Sequence, residues 1–147
     1  MLPLNYWITG LVTAAAVVAC VLVHYEGLRL LSDKLPKARV YHRRRIIVLI
    51  LSLLLLHIIE IWIFGGTYYF LLHQDGFGEL MGAPAANFID CIYFSASVFT
   101  TVGFGDIYPV GPIRTMTGTE GVAGLTLITW SASYTFVEML KSWNGDD

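Results

Sequence analysis

Thr100-Thr101-Val102-Gly103-Phe104-Gly105-Asp106 holds two glycines separated by one aromatic residue, then an aspartate, and it lies between long apolar stretches. Glycine reaches positive φ at little steric cost, so Gly103 and Gly105, alternating with Val102 and Phe104, allow successive carbonyls to point to one side of the chain. Rings of such oxygens can replace the water around a dehydrated cation. The same oxygens facing lipid would be prohibitively costly. One chain has a single copy of the peptide, and four copies around an axis would stack the oxygens in rings, so a tetramer is expected.

Such a peptide needs a membrane protein to hold it. The chain has 147 residues, 56% of them hydrophobic, a mean hydropathy of +0.64 and only 14% charged residues, against roughly 25% charged in soluble domains. Apolar runs at 7–31, 46–72 and 113–140 each exceed the ~20 residues that a helix needs to span a bilayer. Three transmembrane helices are predicted, and no soluble domain fits in what is left. HQDGFGELMGAPAAN, after the second run, reads as an outer loop. Asn87 followed by Asp90 then predicts an N-cap and an acidic first turn for a helix over 88–99. Twelve residues rise about 18 Å against the ~30 Å of the hydrocarbon core. That helix enters without crossing, and the chain returns through TVGFGD, non-helical backbone tolerated at that depth only where protein buries it or water lines it.

Lys34, Lys37, Arg39, Arg43, Arg44 and Arg45 all lie in the link at 32–45, which should therefore be cytoplasmic. The N-terminus and the 73–112 segment are then expected outside and the C-terminus inside. Arg29 and Lys141 also fall on the cytoplasmic side. Flanked by spanning helices, KLPKARVYHRRR reads as an orientation signal with anionic-lipid contact at Arg43, Arg44 and Arg45, rather than as a nucleic-acid patch. The net charge of −2 says little. Cys20 and Cys91 do not make a disulfide framework. Val18-Ala19-Cys20 has the look of a lipoprotein cleavage site, but MLPLNYW lacks a basic n-region and the apolar run continues past Cys20.

The peptide at 100–106 resembles the signature of the potassium channel family, T-V-G-Y-G-D. The likeness extends over 46–140, which is similar to that family's pore unit of outer helix, turret, pore helix, filter and inner helix. The small bacterial two-helix-pore type is most alike, here with an extra N-terminal helix. The resemblance implies an all-α membrane protein with three transmembrane helices, a re-entrant pore helix and a selectivity-filter loop. It divides the chain into 1–45, the added helix with its basic cytoplasmic link, and 46–147, the pore domain. It implies a homotetramer of the bacterial cytoplasmic membrane that passes potassium ions passively, without enzymatic chemistry and with no cofactor beyond the permeating ion.

Carried over by position, potassium would bind at Thr101, Val102, Gly103 and Phe104, through their carbonyls and the Thr101 hydroxyl, with Gly105 completing the filter. Asp106, Ser97 and Thr100 would support it. Two departures stand out: Phe104 lacks the hydroxyl of the usual tyrosine, and Ser97 replaces a glutamate that in some members pairs with the filter aspartate. A weakly selective cation channel, and a non-conducting scaffold or auxiliary subunit, are the alternatives.

Further polar and small residues interrupt the apolar runs. Gly118, Gly121 and Gly124 recur every third residue, which lets a neighbouring backbone approach. Gly124 also matches the family's inner-helix hinge, and hinge and packing both remain open. From that register Leu125, Ile128, Ala132, Ser133, Phe136 and Leu140 turn toward the axis, with Phe136 either a hydrophobic gate or a lipid-facing residue. Glu60 and Glu120 read either as hydrogen-bonded supports of the pore helix or as pH sensors. His24 and His57 suggest axial ligation of a haem, but residue counting separates them by about 6 Å in depth, which argues against it. The first helix lacks the spaced arginines of a voltage sensor.

Overall fold

The computed structural model describes residues 3–34, 42–83 and 85–144. In chain order it has α1 (Leu4–Lys34), α2 (His42–Leu72), β1 (Glu79–Met81), α3 (Phe88–Phe99), β2 (Tyr108–Val110) and α4 (Ile113–Asn144). Lys37 and Arg39 of the basic link lie outside the described residues, and so does the Arg43 side chain.

The long helices run past the ends that hydropathy set for them. α1 begins before Trp7 and continues to Lys34, α2 takes in residues 42–45, and α4 continues to Asn144. Apolar runs mark the slab that lipid can cover, whereas backbone hydrogen bonding continues into charged turns beyond it. Two helices, Leu4–Lys34 and Arg44–Leu72, are long and apolar enough to cross a membrane.

α4 is as long but carries many hydroxyls, and these bond back along their own helix. Thr126 Oγ1 donates to the Val122 carbonyl at 2.8 Å, Ser133 Oγ to Thr129 at 2.9 Å and Thr135 Oγ1 to Ser131 at 2.8 Å. Such back-bonding leaves few free polar groups on the helix surface.

The short helix is as the cap residues predict. Asn87 Oδ1 accepts from the Asp90 amide at 3.0 Å while Asp90 Oδ2 accepts from the Asn87 amide at 3.3 Å, a reciprocal capping box. α3 packs between α2 and α4, and the core gathers around it from Phe64, Tyr68, Phe94, Phe99, Ile113 and Met116. A smaller cluster of Leu28, Leu49, Leu53 and Leu56 joins α1 to α2. Leu11, Leu22, Leu51 and Leu55 point outward, exposed. Both cysteines are free and buried.

The all-α expectation needs one correction. Part of the stretch read as an outer loop is strand: β1 pairs antiparallel with β2, setting Glu79 opposite Val110 and Met81 opposite Tyr108. The pairing joins segments on either side of α3 and residues 100–106, and Leu80 turns its side chain into the core. Strands of three residues flanked by Gly and Pro have no period to read, and their partner is distant in sequence.

Candidate functional site

The segment that reverses the chain after α3 starts at Thr100, whose amide and hydroxyl both donate to the Ala96 carbonyl, at 3.2 and 2.7 Å. Thr101 then turns left-handed, with φ at 60°. Positive φ in a β-branched residue is rare and costs about 1–2 kcal/mol. The surroundings impose it: the Thr101 amide donates to the Val98 carbonyl at 2.9 Å.

Left-handed backbone recurs at Gly103, φ 58°, and Gly105, φ 80°, while Val102 and Phe104 stay at negative φ. The alternation expected from two glycines therefore includes a third residue, Thr101. The amides of Thr101, Gly103 and Phe104 are bonded behind the segment. Gly103 donates to the Ser97 carbonyl at 3.1 Å and Phe104 to Ser97 Oγ at 3.3 Å. Among the described residues, none of the carbonyls of Thr101, Val102, Gly103 and Phe104 accepts a hydrogen bond. Residues 101–106 are exposed in the single chain. Backbone acceptors are obligatory bonding groups, so these four need water, a partner or an ion.

The flank of this segment is held by a residue that the sequence reading missed. Tyr93 donates its hydroxyl to Asp106 Oδ2 at 2.8 Å, and its ring stacks on Phe104 with centroids 6.2 Å apart and planes 7° from parallel. The hydrogen bond to Asp106 raises the Tyr93 phenol above its ordinary pKa, so it keeps its proton. Asp106 Oδ1 also accepts from the Ile107 amide at 3.0 Å. Tyr93 and Ser97 are four residues apart and so share one face of α3, a spacing that could have flagged Tyr93. Phe104 lacks a hydroxyl, and the stacked ring and Ser97 Oγ secure its position instead. Replacing Tyr93 with Phe keeps the stack and removes the bond to Asp106. Sustained ion current should then decline faster, with the initial current nearly intact, as recorded in planar bilayers.

Behind α3, Glu120 is fully buried. Its Oε1 lies 2.5 Å from Ser95 Oγ and its Oε2 accepts from the Tyr68 hydroxyl at 2.7 Å. Ser95 Oγ also lies 2.9 Å from the Ile61 carbonyl. Ser95 has one proton for two acceptors, and the account closes when a protonated Glu120 donates to Ser95 while Ser95 donates to Ile61. The cluster ties α3 to α2 and α4.

Glu60 is placed differently from the expectation of a support for the short helix. Its carboxylate lies between two imidazoles, with His24 Nδ1 2.8 Å from Oε1 and His57 Nδ1 2.9 Å from Oε2. The two rings, which residue counting set at different depths, have centroids 5.5 Å apart. Both Nδ1 atoms turn to the carboxylate, whose reach bridges the difference in height.

Gly124 lies where α4 crosses the end of α3. A Cβ there would meet the Phe99 carbonyl oxygen, with the Phe99 carbonyl carbon at 2.8 Å and Cα at 2.9 Å. Leu125, Ala132, Ser133, Phe136 and Leu140 are exposed in the single chain and Ile128 is half-buried. Near the other end of α4, Glu138 pairs with Arg45 of α2 and, at 3.0 Å, with Lys141. Arg45 was expected at lipid headgroups, but this pairing directs its guanidinium into the protein. Arg44 is exposed.

A helical membrane protein that suspends a row of unpaired carbonyls from a short helix has the makings of an ion-conducting one. Residues 56–141 match the family model described as ion channel, and the chain belongs to that family. No curated protein and no solved structure matches it.

Proposed function

We propose that the protein is a potassium-selective channel of the bacterial cytoplasmic membrane, conducting passively through a homotetramer. The observation that carries this reading is the backbone at 101–105: alternate residues left-handed, the amides of Thr101, Gly103 and Phe104 bonded behind, and the carbonyls of 101–104 free. Four copies would set those oxygens in rings around dehydrated potassium ions, at Thr101, Val102, Gly103 and Phe104. The exposure of this segment in a single chain supports its being enclosed by other copies. Asp106 lies at the outer mouth, where its charge draws cations.

In this reading α4 is the third spanning helix and lines the inner pore, with Phe136 forming a ring that closes by dewetting. Residues 46–147 make up the pore domain, and α1 packs outside it. Purified protein, alone in vesicles, should carry potassium flux well above sodium flux. Equal fluxes would leave a weakly selective cation channel, and none an auxiliary subunit.

The orientation follows from the basic link. In a background with Cys20 and Cys91 replaced, Gly78→Cys should react with an impermeant thiol reagent outside intact cells and Ala38→Cys should not. Reversed labelling would put the carbonyl segment on the cytoplasmic side.

A further inference from the structure

We propose that His24, His57 and Glu60 form a binding site for a divalent transition metal of the zinc class, joining α1 to α2. Among the described residues this is the group of metal-ligating side chains whose donor atoms all lie within 4.8 Å of one another. His24 and Glu60 are fully buried, and the His57 side chain is 15% exposed in the single chain.

The spacing suits a metal. Bonds of about 2.0–2.1 Å from zinc to imidazole nitrogen and carboxylate oxygen separate neighbouring donors by roughly 3 Å. His24 Nδ1 lies 2.8 Å from Glu60 Oε1 and His57 Nδ1 2.9 Å from Oε2, hydrogen-bond lengths to the two oxygens of one carboxylate, and all three residues offer a donor atom within 4.8 Å of the others. Replacing the Nδ1 protons by one ion asks for a small movement of side chains that already converge. Two imidazoles and one carboxylate favour zinc, iron(II), cobalt or nickel over potassium, magnesium or calcium, which prefer all-oxygen sites.

The surroundings have the organisation of a metal site. A ligating histidine usually engages an oxygen with its second nitrogen, which fixes the ring and its tautomer. His24 Nε2 lies 3.4 Å from Ser131 Oγ of α4, a buried hydroxyl. Trp130 packs on the His24 ring, centroids 5.1 Å apart, and Phe99 on the His57 ring at 6.0 Å. These rings form an apolar shell around the donors. Cys20, one turn before His24, directs its thiol to the Glu60 backbone carbonyl at 3.8 Å rather than to the cluster, so the donor set is nitrogen and oxygen alone. A bound cation would also offset the Glu60 charge, which is costly within a membrane.

The test measures metal binding and does not depend on conduction. Protein purified without a polyhistidine tag, stripped with chelator, is titrated with zinc and with cobalt(II). Wild type should bind one zinc per chain, and cobalt should give visible ligand-field bands without a thiolate charge-transfer band. His57→Gln should abolish saturable binding. Ser131→Ala, which leaves all three donors in place, should weaken it by about tenfold or more, while His73→Gln, just past the far end of α2, should not. Absence of saturable binding in wild type would mean that the cluster is a hydrogen-bonded triad only, and would overturn the proposal. So would binding that Ser131→Ala and His57→Gln leave unchanged.

Discussion

Gly103→Ala should abolish potassium flux, or its preference over sodium, while leaving the assembled protein in the membrane. In the single chain, no atom lies within 4 Å of where the new Cβ would sit, so the obstacle is conformational. At φ 58° an alanine pays about 1–2 kcal/mol for the left-handed region. The chain escapes by returning φ to negative values, and the linked rotation of the Val102–Gly103 peptide swings the Val102 carbonyl out of the row. Four chains would each lose one oxygen from the same ring. Flux assays in vesicles report the loss, and size-exclusion chromatography reports the assembly. Unchanged selectivity in an intact assembly would remove the carbonyl row from the account.

Gly124→Ala should destabilise the protein and disturb the entry to the carbonyl segment together. The new methyl group would meet the Phe99 backbone, whose carbon atoms lie at 2.8 and 2.9 Å, and backbone at the end of a capped helix cannot rotate aside as a side chain would. Overpacking of this kind costs about 1–3 kcal/mol. Phe99 immediately precedes Thr100 and Thr101, so separating α4 from α3 moves the residues that launch the segment. Thermal unfolding should shift downward and potassium flux should fall. A pure hinge makes a different prediction: altered opening with unaltered thermal unfolding. The close approach to Phe99 favours packing as the reason for this glycine.

Local features were legible in the sequence. Asn87, Asp90 and the apolar run to Phe99 set the short helix at the bounds observed, because capping is chemistry between near neighbours. Gly103 and Gly105 announced the left-handed positions, but Thr101 did not: its amide is drawn to the Val98 carbonyl just after Thr100 is tied to Ala96. What joins distant segments stayed hidden. His24 meets Glu60 across 36 positions and Arg45 meets Glu138 across 93, and nothing in one sequence pairs them. Tyr93 was overlooked because its partner, Asp106, lies beyond the chain reversal. Helix ends were misjudged for a different reason, since hydropathy reports the lipid boundary and α1, α2 and α4 outrun it.

The most direct test is the reversal potential of the purified wild-type protein in a planar bilayer, with potassium chloride on one side and sodium chloride on the other. Carbonyl rings that replace the potassium hydration shell predict a large reversal potential, negative on the potassium side, that keeps its size and inverts its sign when the salts are exchanged across the membrane. A reversal potential near zero, with robust current, would show that the carbonyls of Thr101, Val102, Gly103 and Phe104 do not select potassium.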